Sequence, residues 1–324
     1  MNPAFLYASD AETYGEGRRS LALRCRSGEL IRVRSGVYLP ADAWQQLPSW
    51  EQHRARILAT ARQGQSQRIL IQQSAAVFWG LPVIGTEPEV MLLAVHPSHG
   101  RRRGGIRWAE RQLLEPVTTQ AGVTLTSRAQ TALDMAAHLE FERAVPAMDR
   151  VLLPDSTRMQ PALGKTRLLE LSEALPSRAR RMRARRVIDF ADPAAESPGE
   201  SYSRAMLHRH GFPEPELQRE FITPGGRFRT DFYWEEQALV GELDGSVKYG
   251  GSGAVLAPSW ETLSRRSGGR MPSAPPASDL SAGPGAILGS LRIIRTDLCS
   301  GWCAQDCPAP TRAPPGPPAE CPRP

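Results

Sequence analysis

Lysine is almost missing from this sequence: of 40 basic residues, all but Lys165 and Lys248 are arginine. GC-rich codons give such a bias on their own, so arginine abundance is weak evidence for a phosphate-binding surface, and a lysine carries more information. No run of about 18 apolar residues is present, which argues against a membrane-spanning helix. The first thirty residues hold Asp10, Glu12 and Glu16 among arginines where an apolar signal core would lie, so a cytoplasmic protein with no membrane partner is expected. Histidine is also scarce, at 6 residues with no triad partners, and there is no glycine-rich phosphate loop. Of 5 cysteines, Cys25 stands alone in the body while Cys299, Cys303, Cys307 and Cys321 crowd the last stretch, which is no disulfide framework. Their spacing of four, without a nearby histidine, argues against a structural zinc site.

What is present is enough for two modest domains: 324 residues, 40% of them hydrophobic. Residues 250–324 hold 13 prolines and 10 glycines in 75 positions. That composition fits a disordered or frameshifted tail, with Leu291 to Arg295 as its one strand-like run. Residues 1–249 are periodic throughout. A helix from Glu16 to Ser27 stops at Gly28, and a hairpin follows in which Leu30 to Arg34 alternates, Ser35-Gly36 turns and Val37 to Leu39 returns. Arg32 and Arg34 then share one face, with Ile31 and Val33 on the other. A short hairpin after a helix suggests a winged helix over residues 1–48. Residues 49–192 read as a mostly helical unit, with helices at Trp50 to Arg62, Ser74 to Trp79 and Arg128 to His138, and strands at Glu89 to Val95 and Gly122 to Thr126. Arg178 to Arg186 holds six arginines in nine residues. It reads as the solvated face of a connecting helix in preference to a phosphate contact. From 193 to 249 the pattern becomes α/β: Ser197-Pro198-Gly199-Glu200 opens a helix closed by Gly211, and strands follow at Glu216 to Thr223, Arg227 to Trp234 and Ala238 to Asp244. The fold class is α/β, or α+β overall.

Residues 229–245 fold on paper as a hairpin with Glu236-Gln237 at its tip. Trp234 then faces Leu239, Phe232 faces Gly241 and Asp231 faces Glu242, with opposed Cβ atoms about 5 Å apart. Alternation puts Asp244 on the same face as Glu242. Three such carboxylates repel, so they are protonated, widely solvated or neutralised by a cation. A hard divalent ion, Mg²⁺ or Mn²⁺, is the simplest resolution, because it takes oxygen ligands and keeps waters that can attack a phosphodiester. A surface hairpin whose acids face water accounts for the same three residues.

Two parts of the chain resemble known families. Glu196-Ser-Pro-Gly-Glu-Ser201, Arg229-Thr-Asp-Phe-Tyr-Trp234 and Gly241-Glu-Leu-Asp-Gly245 with Lys248-Tyr249 resemble an uncharacterised bacterial family related to the Vsr mismatch-repair endonuclease, within the PD-(D/E)XK superfamily. The resemblance implies a restriction-endonuclease-like domain with a mixed sheet, Asp231 and Glu242 as metal-binding acids, and Glu200 or Glu196 as a helix acid that orients the metal or its water. Two departures matter. Asp244 stands where the superfamily places lysine, so Asp244 is a candidate third ligand and Lys248 a candidate replacement cation, or else an exposed strand-end lysine. The tail also lacks the segments that complete the family's sheet, which would leave the site poorly supported. Glu200 has a local reason to be there, since Ser197 and Glu200 make a capping box with Pro198 at the first helical position, and capping outranks metal binding for it.

Ser27 to Tyr38, Gln73 to Leu81 and Val123 to Asp134 resemble the AbiEi-type antitoxins of type IV toxin–antitoxin systems over residues 1–175. That resemblance implies a winged helix on double-stranded promoter DNA, with a cognate toxin as partner. Arg18, Arg19, Arg24 and Arg26 on the helix, with Arg32 and Arg34 on the wing, form a basic surface suited to phosphates, or an arginine-rich solvated face. Two functions are therefore expected: a metal-dependent DNA endonuclease, or an antitoxin-like transcriptional regulator with a vestigial nuclease fold. An inactive truncated product is the third reading.

Overall fold

The first helix, α1 (Arg18–Arg26), stops at a glycine. Gly28 takes φ +79°, its amide donates to the Cys25 carbonyl at 3.3 Å, and the Glu29 amide reaches back to Arg24 at 3.0 Å. This pair of bonds satisfies helix-end carbonyls, and it needs a residue free to adopt left-handed backbone. The chain then runs into β2 (Leu30–Arg34), turns at Gly36 with φ +76°, and returns as β3 (Val37–Pro40). With β1 (Leu6–Tyr7) these strands form a three-stranded antiparallel sheet, order β1-β3-β2. Leu21, Leu30 and Tyr38 close a small core beneath it. The computed structural model describes residues 4–9, 18–63, 68–85, 89–94, 100–223, 226–243 and 291–295.

Helices α2 (Ala41–Gln46) and α3 (Ser49–Arg62) lead into the central unit. Its sheet is mixed and six-stranded: β4 (Ile69–Leu70), β5 (Val90–Leu93), β6 (Arg102–Arg103), β7 (Ile106–Ala109), β8 (Thr118–Gln120) and β9 (Val123–Leu125), in the order β6-β7-β5-β4-β9-β8. The pairs β5/β7 and β4/β9 are parallel. Against it pack α4 (Gln72–Trp79), α5 (Arg128–His138), α6 (Phe141–Val151), α7 (Lys165–Glu173) and α8 (Arg178–Phe190). Leu58, Leu92, Ile106, Leu125, Leu133 and Ile188 lie in one continuous apolar core. The segment's regular structure is mostly helical, as expected, and it also builds a six-stranded sheet of which only the strands near Glu89 to Val95 and Gly122 to Thr126 are read from the sequence. Strands of two to four residues are too short for alternation to register. The arginine run on α8 does face solvent: Arg178, Arg183, Arg185 and Arg186 are exposed.

Helix α9 (Pro198–Arg209) opens the last module with Ser197 as N-cap, its hydroxyl accepting from the Glu200 amide at 3.2 Å. Strands β10 (Glu216–Thr223), β11 (Gly226–Trp234), β12 (Leu239–Leu243) and β13 (Leu291–Arg295) follow in that spatial order. Every described pairing here is antiparallel, so the mixed sheet belongs to the central unit and not to this module. The expected missing edge is filled: β13 pairs with β12 from Leu239↔Arg295 to Leu243↔Leu291. The other residues of 250–324, whose expected disorder was read from composition, lie outside the described residues.

Helix α9 serves two cores. Ala205 belongs to the central core, while Leu207 packs with Phe232 and Trp234 on the sheet. Between α9 and α6, Arg204 Nη2 donates to both Asp149 oxygens at 3.1 and 3.0 Å, with the two side chains 1% and 3% exposed. Arg204 Nη1 caps the Phe190 carbonyl at 2.8 Å, and the guanidinium lies over the Phe190 ring at 4.2 Å. Burial pushes the Asp149 carboxyl up, and the Arg204 charge pulls it back. Burying two such groups together costs desolvation that these hydrogen bonds offset in part, since Arg204 Nε is buried with no hydrogen-bond partner among the described residues.

Candidate functional site

The register of the last hairpin is the expected one: Trp234↔Leu239, Tyr233↔Val240 and Phe232↔Gly241. Gly241 is required there, because a Cβ would stand 3.1 Å from both Phe232 Cβ and Trp234 Cζ3. One step further along, the same register sets Asp231 across from Glu242, one rung beyond the last pair formed, and the Asp231 charge raises the Glu242 pKa. The pairing is not a plain ladder rung, since the Leu243 amide donates to Asp231 Oδ2 at 2.7 Å. Such a bond holds the carboxylate in place and favours its ionised form.

The surrounding charges work the other way. Burial raises the Asp231 pKa, and the Glu196 carboxylate adds to that. Glu242 is exposed over much of its length, yet its carboxyl is pushed up by desolvation and then by Asp231. Glu200 is buried and also raised, chiefly by burial, with Asp231 and Glu196 contributing. Four carboxylates thus share the region where β11 and β12 meet the start of α9. A cation faces them in Arg229, whose Nη2 pairs with Glu196 Oε2 at 2.8 Å.

Glu200 does more than cap. Its Oε2 accepts from the Glu196 amide at 2.9 Å, one residue short of the reciprocal partner a capping box would use, and from Gln218 Nε2 at 2.9 Å. Gln218 reaches it from an interrupted rung: β10 pairs Leu217↔Phe232 and Arg219↔Thr230 in one unbroken register, and the rung between them, Gln218 opposite Asp231, is not formed, with Gln218 at φ +56°. Nothing in the sequence announces this residue, because glutamine is not a turn former and the strand around it alternates normally. Asp244, Lys248 and Tyr249 lie outside the described residues. Among the described residues no group of three or more His, Cys, Asp or Glu is gathered closely enough to hold a metal. Two carboxylates on adjacent strands still suit Mg²⁺, which keeps several waters and needs only one or two carboxylates from a protein.

At the other end of the molecule the expected basic surface divides. Arg19 and Arg32 are exposed, and Arg18 lies on α1 with its side chain outside the described residues. Arg24 pairs with Glu29 at 2.7 Å. Arg34 is no outward contact: Nε donates to Gln63 at 2.7 Å and Nη1 to Thr60 at 3.1 Å, while Gln63 also binds the Ser35 carbonyl. Desolvation and the nearby Arg68 charge lower its pKa. The alternation that would put Arg34 beside Arg32 is broken by a register shift between them. A bulge redirects Arg34 onto α3, where it ties the hairpin to the central unit.

Among the described residues no helix is long and apolar enough to cross a membrane. No family model matches this sequence. The chain is similar to two uncharacterized proteins, MT2308 and Rv2248, from two strains of Mycobacterium tuberculosis. Each is 29% identical over 249 residues, covering 74% of this chain and 82% of the relative. Among solved structures, the crystal structure of the RV2827C protein from Mycobacterium tuberculosis covers 68% of this chain and 84% of its own, at 15% identity and a TM-score of 0.36. A superposition that loose carries no argument about this chain.

Proposed function

We propose that this protein acts on double-stranded DNA and that Asp231 and Glu242 hold Mg²⁺ or Mn²⁺ for phosphodiester hydrolysis. The observation that supports it is the pair itself: two carboxylates on adjacent strands, each raised in pKa, with Asp231 pinned by the Leu243 amide and Arg229, whose charge reaches Asp231, hydrogen-bonded to Glu196. A solvated patch would not fasten one acid to the strand. When bound, the ion would supply a water-derived nucleophile and a Lewis acid for the phosphate. Glu200 keeps the start of α9 against β10 through Gln218, and Arg229 holds Glu196 beside the pair. Asp244 is the candidate third ligand and Lys248 the candidate cation for the developing phosphorane charge. The same reading assigns the protein to the cytoplasm and its N-terminal unit to DNA binding.

The test is cleavage of supercoiled plasmid with Mg²⁺ or Mn²⁺ by wild type, Asp231→Asn and Glu242→Gln. Nicking by wild type that both variants lose supports the assignment; nicking that survives both substitutions contradicts it. A second reading, an antitoxin-like transcriptional regulator with a cognate toxin and a vestigial nuclease fold, draws on one feature: aspartate, not lysine, stands at position 244. It expects metal and DNA binding with no cleavage of any DNA.

A further inference from the structure

Between the β2–β3 hairpin, α3 and the β6–β7 turn lies a cleft of about 540 Å³. Arg32 and Arg34 line it from the hairpin, His53 and Arg56 from α3, and Arg103 and Trp108 from β6 and β7, and no carboxylate is among its described lining residues. That absence is specific to the cleft. Immediately beside it, arginines have acids: Arg54 pairs with Glu51 at 3.4 Å on the same helix, and Arg102 with Glu89 at 2.9 Å next to Arg103. Codon bias explains many arginines, but it does not explain why those facing one cavity lack, among the described residues, the acidic partners their sequence neighbours have.

The groups that hold the cleft's walls are neutral. Gln63 and Thr60 hold Arg34, and the Trp44 ring lies 5.1 Å under Arg56. Desolvation and the Arg56 charge lower the His53 pKa, and its Nε2 is buried without a hydrogen-bond partner among the described residues. Guanidiniums arranged this way retain their charge toward the cavity, where an anion with several oxygens would satisfy them. Gly104 and Gly105 form the lip at φ +57° and +73°, with open space where a Cβ would stand, so a ligand can come against the backbone there.

We propose that this cleft, and not the outer face of α1, seats the phosphate backbone of duplex DNA, with Arg32, Arg56 and Arg103 as contacts and Arg34 as the positioning residue that ties the hairpin to α3. This rests on the reading that the chain acts on DNA, and it adds residues of the central unit to the interface. A strand is favoured over a small phosphate because the cleft is about 540 Å³ and its guanidiniums come from three separate elements, with Arg32, Arg56 and Arg103 exposed.

The experiment is fluorescence anisotropy of a labelled short duplex across about 50–200 mM salt. It compares wild type, the cleft variant Arg56→Gln/Arg103→Gln and the control Arg19→Gln/Arg26→Gln on α1. Arg56 and Arg103 are exposed, so folding is checked simply by an unchanged thermal melt. The cleft variant is expected to bind roughly tenfold or more weakly, with a log–log salt slope shallower by about 1.8 for two lost phosphate contacts, while the control stays close to wild type. Unchanged binding and slope in the cleft variant, with weakening in the control, overturns the proposal and returns the contact to α1. Displacement of the duplex by micromolar inorganic pyrophosphate overturns it in favour of a small-anion site. Wild type that binds no duplex at all overturns the DNA reading itself.

Discussion

Asp149 and Asp231 are both buried or half-buried acids whose carboxyls burial pushes up, and their neighbours separate them. Asp149 receives Arg204 on both oxygens and the Asp192 amide at 2.8 Å, so its charge is answered from two elements. Asp231 receives one amide and has the Glu196 carboxylate near it, which raises it further, while Arg229, hydrogen-bonded to Glu196, pulls it back less. An acid that is answered fastens two parts of a fold. An acid left among its own kind is an arrangement that stability alone does not explain, and it is there that a cation is expected.

The strongest way to break this contrast is at the joint. Arg204→Met should cost about 3–5 kcal/mol in chemical denaturation, because it leaves Asp149 buried without its counter-charge, and adding Asp149→Asn should recover much of that loss. A loss under about 1 kcal/mol would mean that the pair does not clamp α9 to α6.

Asp134 on α5 sharpens the comparison from a third position. Burial raises its pKa to about 7 against the pull of the Arg111 and Arg180 charges, and its Oδ2 has no hydrogen-bond partner among the described residues. With its folded pKa above the ordinary value of 3.8, its contribution to stability is intact in acid and lost as pH rises to about 7. Asp134→Asn should therefore gain on wild type by about 1.4 kcal/mol per pH unit between roughly pH 4 and 7, then level off. His138, lowered to about 4 mainly by desolvation, loses stability in acid in both proteins and cancels from the difference. Parallel stability-against-pH curves for the two proteins would contradict the assignment.

Much of the candidate site is legible in the amino-acid sequence, because it is local. The hairpin register, the Ser197 cap and the stop at Gly28 each follow from residues within a few positions of one another. What is not legible depends on distance or on breaks in period. Arg204 and Asp149 are 55 residues apart and carry no mark of pairing, and Arg34 reads like any exposed arginine until the bulge turns it inward. Gln218 is hidden because its contact with Glu200 spans 18 residues and nothing in the alternation of β10 marks it. The pairing of β13 with β12 joins segments separated by a proline- and glycine-rich stretch, whose composition reads as an end to the fold.

Two smaller effects complete the contrast. Gly241→Ala should destabilise by about 1–3 kcal/mol through overpacking against Phe232 and Trp234, and a neutral result would show that the hairpin shifts freely at the site. Glu242→Gln should stabilise the metal-free protein by only about 0.5 kcal/mol at neutral pH, since solvent screens the exposed carboxyl. Because its pKa is raised, that gain should fade as pH falls and the wild-type carboxyl is protonated. A constant gain at all pH values would place its origin outside the repulsion with Asp231.

The most direct test of the central claim is calorimetric titration of Mn²⁺ into wild type and Asp231→Asn at neutral pH. If Asp231 is a ligand, wild type gives a saturable heat and the variant binds roughly tenfold or more weakly. Equal Mn²⁺ affinity in the two proteins would contradict it.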